Sequence, residues 1–345
     1  MNIFKKIIIV LSVAIAAILL DGCLEEVIPP PVTGELNLTA EIMGYIEQQG
    51  DFANSGLAPA LVTAQEVFDN LNNYLILDLR THDEFLTGHI VNSINVTTDS
   101  LYEYITDYYN SGYTKIVLVS KNGQSSAYFA SLLRLAGFDK IYTLKYGMAS
   151  WHIDFADEWL SAVGNSSEYI FFTNDESPKN DITDLPIISV ENPNASIGEI
   201  VESRIKKLIR EGFTRGNTYR ENLDNITGTY LVCYGENRLY YQPITEGGFG
   251  HPPGAIWYKD SPYFDFRSIN SLQTLPSNSD IIIYSYNGQL SACMTAYLKI
   301  LGYKVKTYLF GANSLIYSRM ITNVGFVGYV FTLNDIMNFD YVVGN

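Results

Sequence analysis

Cysteine is scarce: Cys23, Cys233 and Cys293 are the only three in 345 residues, and no two are spaced as CxxC. That excludes zinc ribbons and thioredoxin-like redox chemistry. Histidine is as thin. His82, His89, His152 and His251 are scattered, and none pairs with another one helical turn away. A helical metal pair is therefore absent, and neither a metal nor a cofactor is expected. Positive charge is in deficit, with 22 Lys and Arg against 37 Asp and Glu, for a net charge of -15. Phosphate recognition needs clustered cations, so nucleic acid is excluded as a partner. The same sign opposes docking on anionic lipid by charge alone. Charged residues make up 17% and apolar ones 47%, the balance of a folded protein long enough for two domains.

Long apolar runs are missing too, except at the start. Lys5 and Lys6 precede the run Ile7 to Leu20, and Gly22-Cys23 follows at once. The run is short for a membrane span and has the length and flanks of a signal segment. It resembles a bacterial lipoprotein signal with Leu20-Asp21-Gly22-Cys23 as its lipobox, although Asp21 departs from the usual residue. The resemblance implies that residues 1–22 are removed and that Cys23 carries a lipid anchoring the chain at the bacterial cell envelope. Leu24 after the cysteine implies the outer membrane or periplasmic face. A plain signal peptide and an uncleaved anchor are the alternatives. Residues 23–58 then read as a tether, with "IPPPV" as its extended part and a short helical pattern near Glu41 to Gln49.

Thr63 and Glu66 have capping-box spacing and start a helix near Ala64. Tyr74–Leu77, Ile116–Val119 and the stretch "KIYTLKYG" read as strands, the first two buried on both faces, with helices between them. Alternating strands and helices predict a parallel sheet. The pattern recurs. "DIIIYSYNGQLSACMTAYLKILGYKVKTYLFG" repeats "TKIVLVSKNGQSSAYFASLLRLAGFDKIYTLKYG" at an offset of about 165 residues, aligning Ser120 with Ser285, Gly123 with Gly288 and His89 with His251. The expected division is one domain over 59–165, a polar linker over 166–187 and a divergent copy over 188–345, with an insertion between Tyr234 and Phe249.

"LILDLRTHDEFLTGHIVNSINV", the strand and loop that follow, and "AYFASLLRLAGFDKIYTLKYGMASW" resemble the rhodanese domain through Asp78, Arg80, Gly88, His89, Gly123, Gly147 and Trp151. The second copy is similar through Gly250, His251, Gly254, Ala255, Gly288 and Ser291, with Tyr234 at the Asp position. The resemblance implies an α/β fold: two rhodanese-like domains, each a mainly parallel sheet with helices on both faces. It implies sulfur transfer through a cysteine that opens a six-residue loop and an arginine that closes it. Here Ser120 and Ser285 stand at the cysteine position, and Ser125 and Leu290 at the arginine position. A hydroxyl cannot store a sulfane sulfur, so the expectation is a catalytically inactive protein that binds or scaffolds.

The loops still offer free N–H groups at a helix start, with neutral polar side chains around them. Candidate binding residues are Ser120, Lys121, Asn122, Gly123, Gln124, Ser125 and Ser126 in the first loop. In the second they are Ser285, Tyr286, Asn287, Gly288, Gln289 and Ser291. The expected ligand is a small polar molecule or a protein; an empty vestigial pocket is the competing reading. A sulfurtransferase using Cys293 is the alternative function. Hydrolysis by either serine, as phosphatase relatives do with cysteine in a longer loop, is a third. Cys233 and Cys293 read as core, His89 and His251 as turn braces, and Asp78 with Arg80 as a strand-end ion pair. The 26 tyrosines admit stacking on a partner or plain composition bias.

Overall fold

The apolar runs become parallel strands, as stretches buried on both faces should. The computed structural model describes residues 37–50, 57–166, 171–190, 192, 194–213, 229–241, 250–260 and 264–344. Cys23, the N-terminal apolar run and the proline segment lie outside the described residues, as do residues 242–249 of the expected insertion. Among the described residues no helix is long and apolar enough to cross a membrane.

The first half runs α1 (Leu38–Gln48), β1 (Leu61–Val62), α2 (Ala64–Asp69), β2 (Tyr74–Asp78), α3 (His82–Thr87), β3 (Ile94–Asn95), α4 (Leu101–Tyr108), β4 (Lys115–Val119), α5 (Gln124–Leu135), β5 (Ile141–Leu144), α6 (Met148–Trp151) and α7 (Asp157–Ala162). The second runs α8 (Ile197–Glu211), β6 (Tyr230–Tyr234), α9 (Asn237–Tyr240), β7 (Ile256–Tyr258), α10 (Ile269–Leu272), β8 (Ile281–Tyr284), α11 (Gln289–Ile300), β9 (Val305–Thr307) and α12 (Tyr317–Thr322). The first sheet is ordered β1-β5-β4-β2-β3 and the second β7-β6-β8-β9. Every pairing between named strands of these two sheets is parallel. The fold is α/β, with parallel sheets flanked by helices.

Helix starts follow local chemistry. Thr81 and Glu84 close a full capping box on α3, and Ser196 and Glu199 close one on α8. At α2 only half of the expected box forms. Thr63 accepts from Glu66 N, while the Glu66 carboxylate pairs with Lys115 and Tyr74.

The two halves share one core. A single apolar cluster holds Leu118 and Leu132 of the first half together with Ile283 and Leu298 of the second. At its centre α5 and α11 pack on each other, buried on nearly every side. Each begins with a glutamine that crosses to the other half. Gln289 Oε1 accepts from Tyr146 N (3.1 Å), and its Nε2 donates to Gly123 O (3.1 Å) and Leu144 O (3.4 Å). Gln124 Oε1 accepts from Phe310 N (2.8 Å). Tyr146 and Phe310 are bulky residues in the left-handed region, at φ of 62° and 61°. Such residues rarely adopt it, and each amide is tied by the opposite glutamine.

The first and last described segments also cross over. Helix α1, expected within the tether, docks on the second half: Thr39 Oγ1 donates to Pro186 O (2.7 Å), and Glu47 pairs with Arg267 (2.6 Å). The C-terminal segment returns to the first half. His89 and Val342 exchange backbone hydrogen bonds (both 2.9 Å), and Phe339 stacks on Phe68 at 4.1 Å. Trp151 Nε1 donates to Asp340 O (3.0 Å).

The glutamine seam generates a graded prediction. Gln289→Leu leaves Tyr146 N bare and also removes the bonds to Gly123 O and Leu144 O, which keep other donors, and is expected to cost about 2 kcal/mol. Gln124→Leu is expected to cost about 1 kcal/mol, because Gln124 Nε2 is already buried without a partner among the described residues. Denaturant unfolding of both variants checks the order.

Candidate functional site

The turn between β4 and α5 begins at Ser120, whose hydroxyl lies inside the loop. Ser120 Oγ accepts from Gly123 N (3.1 Å) and Ser126 N (3.3 Å), and donates to Ser126 Oγ (3.0 Å). Ser126 Oγ continues to Gly123 O (3.1 Å) and Thr143 Oγ1 (2.6 Å). Ser120 is thus fully engaged and only 3% exposed. Among the described residues no basic side chain hydrogen-bonds to it, so none of them draws off its proton and the hydroxyl is a weak nucleophile. Gly147 is required beside it, since a Cβ there would sit 2.1 Å from Ser120 O.

The second loop repeats this geometry in a closed setting. Ser285 Oγ accepts from Ser291 N (3.0 Å), and Ser291 Oγ donates to Gly288 O (3.1 Å). A Cβ on Gly311 would sit 2.2 Å from Ser285 O. Ser285, Tyr286, Asn287, Gly288, Gln289 and Ser291 are all buried. Tyr286 stacks on Tyr329 at 4.1 Å, and Asn313 Nδ2 donates to Tyr286 O (2.9 Å). The candidates of this loop contact protein.

The first loop divides. Gly123, Gln124 and Ser126 are buried in the seam. Ser120, Lys121, Asn122 and Ser125 line a cavity of about 200 Å³, closed on one side by Phe213 and Leu309 of the second half. A second cavity of about 330 Å³ shares Arg80, Glu84 and Lys121 with it and is walled by Phe155 and Tyr341. Together they form one two-lobed cleft. Four carboxylates line it (Glu84, Asp154, Asp157 and Glu158) against two cations, Arg80 and Lys121. Lys121 Nζ lies 3.3 Å from Glu158 and 3.8 Å from Asp157. Burial works against its ammonium, but Glu158 and then Asp157 outweigh that and hold its pKa above the usual lysine value. Asn122 Nδ2 donates to Glu158 (2.8 Å) and Trp159 Nε1 to Asn122 O (3.0 Å), which fixes the loop against α7.

The other singled-out residues make close contacts with the protein around them. Arg80 holds Asp78 through Nε (3.0 Å) and Nη2 (2.6 Å), and its Nη2 also reaches Gly88 O (2.7 Å). His89 stacks on Phe85 at 3.7 Å with Nδ1 3.0 Å from Phe85 O. His251 stacks on Tyr240 at 3.5 Å, and burial draws its imidazole below the usual value. Cys233 and Cys293 are buried, neither in a disulfide. Burial pushes the Cys233 thiol up to about 12, well away from a reactive thiolate.

Residues 63–154 match the family described as Rhodanese-like domain. That stretch is a rhodanese-like domain. It holds Asp78, Arg80, His89 and the whole first loop. Among solved structures, the chain is similar to a rhodanese-related protein from Thermoplasma volcanium, at 25% identity over 28% of this chain and 90% of that one, TM-score 0.24. It is also similar to a thiosulfate sulfurtransferase from Pseudomonas aeruginosa, at 13% identity over 82% and 69%, TM-score 0.25. A probable thiosulfate sulfurtransferase matches at 15% over 71% and 94%, TM-score 0.25. Within the rhodanese-like domain the sequence pointed to Lys121, Asn122 and Ser125. It did not point to the acidic rim, although the acidic first turn of α7 follows Trp151 closely. Tyr341 and Phe213 carry no sequence signal, because they arrive from outside the domain.

Beside the second loop, Asp260 Oδ1 is buried without a partner among the described residues. Burial first, and Glu236 second, push its carboxyl up to about 6. The folded chain therefore binds this proton more tightly than the unfolded one, and stability declines as pH rises from the ordinary carboxyl value through about 6. Asp260→Asn is expected to raise the melting temperature relative to the parent by more at pH 7.5 than at pH 4.5, on the order of 2 kcal/mol between the two. Thermal melts at both pH values read it.

Proposed function

We propose that this chain is a catalytically inactive, lipid-anchored protein built of two rhodanese-like domains, and that it acts by binding at the cleft of the first. The second half is read as a divergent copy from the sequence repeat, from its matching strand order, and from the paired left-handed residues Tyr146 and Phe310. The anchor is read from Lys5 to Cys23.

One observation carries the reading of inactivity: a hydroxyl, Ser120 Oγ, accepts the loop's N–H groups at the place where the family's sulfur chemistry needs a thiolate. Those N–H groups would stabilise an anionic sulfur, but a neutral hydroxyl uses them as a loop brace. The loop also lacks its closing arginine, Ser125 standing there, and the carboxylates of the cleft repel an anionic sulfur donor. Burial of Cys293 weighs against that residue taking over the transfer. In the second half the sealed loop supports a structural role, so binding is assigned to the open side of the first, Lys121, Asn122 and Ser125, with Ser120 on the floor.

Replacement by a thiol tests this. The parent protein is expected to move no sulfur from thiosulfate to cyanide or a thiol. In Ser120→Cys the two N–H donors are expected to lower the introduced thiol's pKa, giving alkylation at least tenfold faster than in the parent protein. Ser120→Cys with Ser125→Arg is expected to gain transfer. Transfer by the parent protein sinks the proposal. Cys23→Ala is expected to release the chain from the membrane fraction.

A further inference from the structure

The charges and walls of the first cleft define a ligand class, an inference that rests on the binding role assigned above. Arg80 lies on its floor, 8% exposed, and lines both lobes. Its Nε and Nη2 are committed to Asp78 and Gly88 O, while Nη1 has no partner among the described residues. That leaves one donor, not fully buried, for an oxygen of a ligand. The rim has the opposite character. Lys121 is held by Glu158 and Asp157, and Asp78 neutralises Arg80. Glu84 Oε2 accepts from Thr81, and Asp154 Oδ2 lies 3.3 Å from His152 Nδ1, so the four rim carboxylates outnumber the lysine and histidine that face them. Asp154 Oδ2 accepts from Tyr341 Oη (2.7 Å), which sets the Tyr341 ring edge-on to Phe155 at 4.9 Å. Two aromatic rings beside this excess of carboxylates make a seat for an organic cation, with the Arg80 guanidinium already 5.4 Å from the Phe155 centroid. The larger lobe, about 330 Å³, is within the range of small-ligand pockets.

We propose that the cleft binds a guanidinium or ammonium group carried by an amino acid or a peptide. The cation sits between Asp154, Glu84 and the rings of Phe155 and Tyr341, and an oxygen of the same ligand accepts from Arg80 Nη1. A neutral isostere loses the rim contacts, and an anion meets an excess of negative charge. Tyr341 belongs to the C-terminal segment, so the seat exists only when that segment lies against the first domain.

Titration calorimetry on the full chain tests the class, with arginine, N-acetyl-arginine amide, N-acetyl-citrulline amide and thiosulfate as probes. Citrulline keeps the shape of arginine without its charge. At least one arginine probe is expected to bind at least tenfold more tightly than the citrulline probe, with thiosulfate weaker still. Tighter binding of the blocked form assigns a peptide as the source; tighter binding of the free form assigns an amino acid. Asp154→Asn and Asp157→Asn lie on the exposed rim, and an unchanged melting temperature certifies their fold. Asp154→Asn is expected to weaken arginine about tenfold. Equal binding of citrulline, or no binding of any probe, overturns the ligand class and leaves the inactive-domain reading standing. Thiosulfate binding accompanied by sulfur transfer overturns both.

Discussion

A glutamine from each half of the chain holds the amide of a left-handed aromatic residue in the other half. Gln289 holds Tyr146 and Gln124 holds Phe310, across two helices buried on nearly all sides. An αL conformation at a bulky residue costs about 1–3 kcal/mol, so it persists only where its surroundings fix it. Here the opposite loop does so. Neither loop can open without dropping a buried hydrogen bond in the other, and the seam makes the two turns a single rigid unit. The polar residue that follows the loop glycine, the natural place for a ligand contact, is spent on packing.

The consequences for the two loops differ because their surroundings differ. Tyr329, Asn313 and Phe326 close over the second loop, and its hydroxyls face only protein. Among the described residues the first loop has no such cover. Asp157, Glu158 and Asn122 stand beside it, and the C-terminal segment adds Tyr341 as a wall. The same crossing that ties the chain's end to the first domain by His89 and Trp151 therefore also shapes the cleft. Stability and site geometry share these contacts.

Much of the fold was legible from local signals. β2 and β4 appear where their apolar runs stand, α4 and α5 appear as expected, and Gly137 follows α5 at a φ of 96°. Those features depend on residues near one another in sequence. What was not legible depends on residues far apart. Glu66 has the spacing of a capping box but answers to Lys115, 49 residues away. Gln124 and Gln289 have the composition of loop ligands, and only their positions across the seam show them to be structural. Helix α1 has the amphipathic pattern of any short helix, and nothing in that pattern names the second half as its support. The cleft was half visible: Ser120, Lys121, Asn122 and Ser125 lie within one loop, whereas Tyr341 and Phe213 come from segments no local pattern connects to it.

The account depends on oxygen at the loop floor being chemically silent toward sulfur. The most direct measurement is the intact mass of the full chain after incubation with thiosulfate. The account predicts an unchanged mass, with Ser120 and both buried cysteines unmodified. A stable gain of one sulfur atom, lost again on addition of an acceptor thiol, would contradict it.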